Sequence, residues 1–189
     1  EEGAVLQQAD GAERFVTHNL EQADTDPILR RLRERGLHNN PEDRVKVVFV
    51  PSYLQGDDGL FNLPYYQLLL GLDLTVFASY YEPWGYTPLE SVAFKTPCIT
   101  TDLSGFGQWV DSVLGHTGTL EDGVSVLHRD DNNYFECAAE ISQVIQQFLA
   151  APKTARDKMR RNAAKFANKA QWENFIAYYH KAYEFALNK

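Results

Sequence analysis

The chain is poor in the residues that staple small folds together: of 189 residues only Cys98 and Cys137 are cysteine. Two cysteines cannot build a disulfide framework, and neither stands at a zinc spacing. Cys98 lies in an apolar run and reads as a small core residue. A continuous basic patch is also missing. With a formal net charge of −8 and no continuous Lys/Arg patch, a nucleic-acid partner is disfavoured, because phosphate contacts would have to dominate its affinity. No apolar segment approaches the length of a bilayer span and no signal-peptide pattern is present, so no membrane partner is expected. There are no internal repeats or low-complexity tracts. The segment Glu1-Glu2-Gly3-Ala4 lacks an initiator methionine and opens within a polar stretch, which reads as a piece of a longer, cytoplasmic protein. What remains is an ordinary globular composition, 44% hydrophobic and 23% charged, long enough to bury one substantial core.

Local signals divide the chain into alternating elements. Residues 1–15 are polar and weakly patterned, a helix or a frayed end. Asp26-Pro27-Ile28-Leu29 predicts a capped helix that stops at Gly36, with Arg30, Arg31, Arg33 and Arg35 on a solvated basic face. The run Val45–Val50, closed by Pro51, predicts a strand, followed by a loop over 52–63 and a helix from Pro64 to Leu70. Strands are expected at 74–78, 98–101 and 124–128, with a helix opened by Ser104-Gly105-Phe106-Gly107 and a loop over 111–123. Three helices, roughly 131–150, 152–169 and 171–187, complete the chain. In the last, Trp172, Phe175, Ile176, Tyr179, Tyr183 and Leu187 form a stripe that reads as a packing face. The expected fold class is α/β: a Rossmann-like, doubly wound parallel sheet in a single domain over 1–189, with a helical portion over 131–189.

Chemistry concentrates in Ser79-Tyr80-Tyr81-Glu82-Pro83-Trp84-Gly85-Tyr86-Thr87-Pro88-Leu89-Glu90. This stretch follows the 74–78 strand, and in open parallel sheets ligands bind beyond the carboxyl ends of strands. Thr87 as N-cap, Pro88 at the first helical position and Glu90 at the third predict a capping box. Glu90 therefore has two roles open to it, cap or ligand contact. The same helix start offers N–H groups to a phosphate, and Gly85 permits close approach of the backbone. Glu82 leaves a buried strand and is costly to place without hydrogen-bonding partners, which sugar hydroxyls would supply.

The string Tyr80 to Glu90, with Thr100-Thr101-Asp102-Leu103-Ser104-Gly105-Phe106-Gly107 after it, resembles glycogen synthase of the animal and fungal type. Thr17-His18-Asn19-Leu20, Thr25-Asp26-Pro27-Ile28-Leu29 and Glu42-Asp43-Arg44-Val45-Lys46-Val47 carry the resemblance further, from about residue 16 to about 128. It implies the C-terminal, donor-binding domain of a GT-B glycosyltransferase. Such enzymes transfer glucose from a nucleotide-glucose to the 4-hydroxyl of an α-1,4-glucan, with retention and without a metal ion or other cofactor. By the match of motifs, Glu82 would lie beside the donor glucose near its reacting centre. Trp84 and Gly85 would contact the sugar hydroxyls, partly through backbone. Tyr86 and Thr87 would sit at the pyrophosphate, Glu90 at the ribose, and Tyr65 would stack on the base. UDP is favoured over ADP as the leaving nucleotide. The implied partners are the donor, an α-glucan acceptor and an N-terminal domain not contained in this chain, with room for a homo-oligomer of the full-length protein. The fragment alone is expected to be inactive, because the family's pyrophosphate-binding basic residues and its opposing domain are not in this chain.

The sequence also departs from the family. Asp73 replaces a histidine, and the late arginine cluster associated with glucose 6-phosphate and phosphorylation is thinner, with Arg156, Lys158, Arg160, Arg161 and Lys165 read as a solvated basic helix. His18 is expected to be structural. Two other readings stay open: another retaining GT-B transferase with a different donor or product, or a non-catalytic nucleotide- or glucan-binding module.

Overall fold

The computed structural model describes residues 16–17, 20–58 and 60–188, and the chain divides into two compact units, Glu1–Leu68 and Leu69–Lys189. The polar segment 1–15 and His18 lie outside the described residues. In the first unit, helix α1 spans Pro27–Glu34. Asp26 accepts from the backbone N–H groups of Ile28 and Leu29, both at 2.9 Å, satisfying two donors that a helix start leaves orphaned. Leu29 is the buried side of this helix. Arg30 and Arg31 stand in solvent and pair with Glu34 at 3.8 and 2.9 Å, contacts of about 0.3–0.5 kcal/mol each at such exposure.

The strand expected over 45–50 does not form. Phe49 makes one isolated bridge, to Val16. The cause is visible at Val47, whose C=O and N–H are taken by the side-chain amide of Asn39 at 2.7 and 2.8 Å. The Asn39 amide thus takes the place a neighbouring strand would have on the edge that Val47 presents. In the loop that follows, buried Asp58 accepts from the N–H groups of Leu60, Phe61 and Asn62 at 2.9, 2.7 and 3.0 Å. Burial pushes its pKa up, but these donors outweigh that and hold the carboxyl below its ordinary range. Helix α2, Tyr65–Leu69, comes next.

In the second unit β1 (Thr75–Val76), β2 (Cys98–Thr101) and β3 (Val124–Leu127) form a parallel sheet in that order. Thr75 pairs with Cys98, and Cys98 through Thr101 pair with Val124 through Leu127. β1 is shorter than expected, though Phe77 N–H still donates to Ile99 O at 2.8 Å. Helices α3 (Tyr86–Ala93) and α4 (Gly105–Leu114) make the crossovers. α4 runs into the stretch expected as loop, because Val110 and Val113 prolong its apolar face until Gly115 turns left-handed. Helices α5 (Tyr134–Ala150), α6 (Lys153–Lys169) and α7 (Trp172–Leu187) follow the expected spans closely.

The strand pleat sorts the core into two layers. Cys98, Val124 and Val126 join Val92, Phe106, Val110, Ala163 and Phe166 in one cluster. Ile99 and Leu127 join Cys137, Val144, Phe148 and Met159 in the other. Helices therefore cover both faces of the sheet, and β2 and β3 are buried throughout, as parallel strands require. This is a mixed α/β unit with a small parallel sheet.

Two expectations about the late helices change. The α7 stripe is not a buried packing face: among the described residues no α7 side chain is buried, and Trp172, Tyr179, Tyr183 and Leu187 are exposed. Phe175 alone of the stripe's aromatic residues turns inward, edge-on to Trp84 and Trp109 at 5.3 and 5.5 Å. Periodicity identifies an apolar face, not what covers it. In α6, Arg160 is not simply solvated; it donates to Leu72 O at 3.2 Å and to the Asp73 carboxylate at 2.8 Å. Asp73 is thus the partner of a basic α6 residue.

Candidate functional site

The three strands of the second unit end in polar segments that are laced to one another. After β1 comes Ala78–Gly85, after β2 Asp102–Ser104, and after β3 His128–Arg129. Glu82 continues the parallel pairing beyond the sheet by bridging to Ser104. Its N–H donates to Leu103 O at 3.2 Å and its C=O accepts from Gly105 N–H at 3.0 Å. The half-buried Glu82 carboxylate accepts from the Ser79 hydroxyl at 3.3 Å. Ser79 O in turn accepts from Thr101 Oγ1 at 2.8 Å.

Trp84 is committed to packing. Its ring meets Phe106, Trp109 and Phe175 at centroid distances of 6.0, 5.7 and 5.3 Å. Its C=O accepts from Phe106 N–H and from Ser104 Oγ. Gly85, buried at φ +109°, is the residue that makes the turn, and a Cβ there would meet Pro88, Phe106 and Ser104 atoms at 3.1–3.2 Å.

The expected capping box is not formed. α3 begins at Tyr86 with Gly85 as its N-cap and no side-chain cap. The left-handed glycine starts the helix two residues before the predicted position, which places Thr87 second, Pro88 third and Glu90 fifth. Pro88 fits there because the N–H it lacks would have had no intrahelical acceptor. Glu90 stands half-buried in the second turn of α3, beyond the position a capping box requires.

Two helix starts therefore lie side by side with opposite fates. In α4 every early donor is satisfied: Gly105 by Glu82 O, Phe106 by Trp84 O, Gly107 by Ser104 Oγ and Gln108 by Ser104 O. In α3 no side chain caps the helix, and the Tyr86 and Thr87 N–H groups find no acceptor among the described residues. Both side chains are exposed. Unsatisfied, aligned N–H groups of this kind carry partial positive charge.

Of the residues the sequence singled out, Glu82, Trp84, Gly85, Tyr86, Thr87 and Glu90 share this loop and helix. Tyr65 opens α2 in the other unit, its ring 5.4 Å from that of Tyr66. Sequence reasoning passed over Asp102, His128 and Arg129. Asp102 Oδ2 accepts from His128 Nδ1 at 2.6 Å, and Oδ1 accepts from Arg129 N–H at 2.9 Å. The hydrogen bond and charge of Asp102 raise the His128 pKa, against a small opposing effect of burial, with Asp130 adding to the rise. Asp102 and His128 come first after β2 and β3, and Arg129 second after β3, a positional signal that was available in the sequence. Among the described residues no cluster of His, Cys, Asp or Glu is grouped to hold a metal ion, and no helix is long and apolar enough to cross a membrane.

A family model described as glycogen synthase matches residues 5–189, further in both directions than the motifs alone suggested. A glycogen (starch) synthase of Caenorhabditis elegans is 37% identical over 176 residues, covering 93% of this chain and 26% of the relative. That of Neurospora crassa is 34% identical over 175 residues, covering 93% of this chain and 24% of the relative. The mouse liver glycogen (starch) synthase is 33% identical over 174 residues, covering 92% and 24%. The chain thus spans about a quarter of the length of these curated relatives.

Proposed function

Because this chain belongs to the glycogen synthase family, we propose that it is the donor-binding part of a GT-B enzyme that lengthens glycogen. The enzyme transfers glucose from a nucleotide-glucose, UDP-glucose in preference to ADP-glucose, to the 4-hydroxyl of an α-1,4-glucan with retention. The observation that carries this reading is the combination of Glu82 with the uncapped start of α3, on one loop beyond the ends of parallel strands. Breaking the bond to a diphosphate leaves negative charge on the departing nucleotide and positive charge on the sugar ring. The Tyr86 and Thr87 N–H groups receive the diphosphate, and fixed dipoles of this kind contribute about 3 kcal/mol to a charged transition state. The Glu82 carboxylate offsets part of the charge on the ring. Backbone at Trp84 and Gly85 meets the sugar hydroxyls, with the Trp84 ring held in the core, and Glu90 takes the ribose. The acceptor and the opposing wall of the cleft come from the remainder of the full-length enzyme, without which this part does not turn over.

The test is glucose incorporation into glycogen by the full-length protein, supplied with UDP-glucose or ADP-glucose. Transfer from UDP-glucose, lost by at least about 100-fold in Glu82→Ala with the melting temperature retained, supports the reading. Inactivity with both donors, or an unchanged rate in Glu82→Ala, overturns it.

A further inference from the structure

Arg129 is an anomaly of the second unit. It is 7% exposed, yet among the described residues no carboxylate pairs with its guanidinium. Nη1 donates to Ala78 O at 3.1 Å, and Nε is buried without an acceptor. The guanidinium carbon lies 3.7 Å from the centroid of the Tyr80 ring. Taking a charge out of water without an ionic partner is unfavourable, and here the Tyr80 ring and the Tyr134 ring, 6.0 Å away, face the charge in place of a carboxylate. What it does is reach from the end of β3, past β2, to the segment that leaves β1. That segment is the one carrying Glu82. The base of the arm is itself fixed, since Arg129 N–H is held by Asp102 at the end of β2. Thr101 Oγ1 grips the next carbonyl of the same segment, Ser79 O, at 2.8 Å.

We propose that Arg129 is a positioning residue for Glu82: by anchoring the Ala78 carbonyl and the Tyr80 ring, it fixes where the Ser79–Glu82 segment leaves the sheet. The inference rests on the assignment of Glu82 to the reacting centre. Its physical basis is that carbonyl acceptance and ring stacking are directional in a way that an apolar contact is not. Arg129 acts on Glu82 through the backbone. It therefore changes how well the carboxylate faces the ring once the donor is bound, rather than how tightly the nucleotide binds. A displacement of the order of 1 Å is enough to cost about 100-fold in turnover.

The experiment uses the full-length enzyme with Arg129→Met, which keeps the packing volume over Tyr80 and removes a buried unpaired charge. The expected result is a kcat lower by about 30- to 100-fold. The KM for the nucleotide-glucose, and the Kd for the nucleoside diphosphate alone by calorimetry, stay within about threefold. Tyr80→Leu, at a half-exposed ring, is expected to lower kcat about tenfold and to add less than about twofold in the Arg129→Met background, because both remove one anchor. Arg129→Lys keeps the charge but cannot lie flat on the ring, so it restores only part of the rate. A kcat for Arg129→Met within threefold of wild type, in an enzyme that Glu82→Ala inactivates, overturns the proposal and leaves the role of Glu82 standing. A diphosphate Kd weakened in proportion to kcat also overturns it, by making Arg129 a binding residue. If Arg129→Met fails to fold, Arg129→Lys and Tyr80→Leu decide alone, and wild-type kcat in both refutes positioning. Retained activity in Glu82→Ala would instead refute the underlying assignment, and this inference with it.

Discussion

Gly105→Ala tests the site geometry with a single methyl group. A Cβ at Gly105 would lie 2.2 Å from Pro83 O, 3.1 Å from Pro83 C and 3.2 Å from Trp84 Cα. An unstrained carbon–oxygen contact is about 3.3 Å, so the Pro83 peptide must retreat by about 1 Å. It cannot retreat alone, because Gly105 N–H is bonded to Glu82 O and Phe106 N–H to Trp84 O. Overpacking of this kind costs about 1–3 kcal/mol, or about 3–9 °C in the melting transition of a domain this size. Turnover should suffer more, by about 100-fold in kcat, because the displaced peptide lies between Glu82 and Gly85. Gly115→Ala is the matched control. Its φ of +75° makes alanine strained by about 1–2 kcal/mol, but a Cβ there meets nothing within 4 Å. The assay pairs initial rates of glucose incorporation with thermal melts of the full-length variants. Comparable losses of stability with activity lost only in Gly105→Ala are expected. Equal activities in the two variants would refute the claim that this contact sets the Glu82 loop.

The His128–Asp102 pair gives a pH prediction whose sign follows from the raised His128 pKa. Its contribution to stability is complete below the ordinary histidine value of about 6.5 and is lost as pH rises through the raised folded value. NMR titration should place His128 above the ordinary value in the wild type and return it toward that value in Asp102→Asn; an unchanged titration would refute the coupling. In the core, Phe106→Ala removes a fully buried ring that meets Trp84 edge-on and Trp109 at 5.8 Å, and should cost about 3–5 kcal/mol in urea unfolding. A loss below about 1.5 kcal/mol would show that the aromatic cluster is not packed as described.

What could be read from the sequence depended on whether the deciding interaction was local. β2 and β3 were legible because Cys98–Thr101 and Val124–Leu127 are short apolar or β-branched runs buried on both faces. α1 was legible because Asp26 and Pro27 act within its own first turn. The run at 45–50 has the same β-branched character, but its fate was decided by Asn39, eight positions before Val47, through an amide that no propensity scale sees. α7 was correctly placed, but a stripe such as Trp172, Tyr179 and Tyr183 states only that a face is apolar and not what covers it.

That Glu82, Trp84, Gly85, Tyr86, Thr87 and Glu90 share one loop and helix was legible in the sequence, and how they are arranged there was not. Thr87-Pro88-Leu89-Glu90 satisfies every local rule for a capping box, yet Gly85 at φ +109° starts the helix first. The box would have satisfied the first donors of α3 internally and left little for a ligand. Its absence changes the chemistry of the loop. Carbonyls of Glu82 and Trp84 are given to the neighbouring helix α4, while the Tyr86 and Thr87 donors are given to nothing within the described chain. A side-chain cap in place of Gly85 would gain only a few tenths of a kcal/mol over glycine, and the φ of +109° opposes it by about 1–2 kcal/mol, so the start of α3 stays open. The donors that this glycine leaves open lie four and five residues after Glu82. Gly85→Ser therefore tests the open start. The serine hydroxyl would compete for the Tyr86 and Thr87 side of the helix start, and the positive φ would strain its backbone by about 1–2 kcal/mol. Nucleoside diphosphate affinity should fall at least tenfold in that variant, measured by calorimetry on the full-length enzyme; unchanged affinity would mean that the open helix start is not where the diphosphate sits.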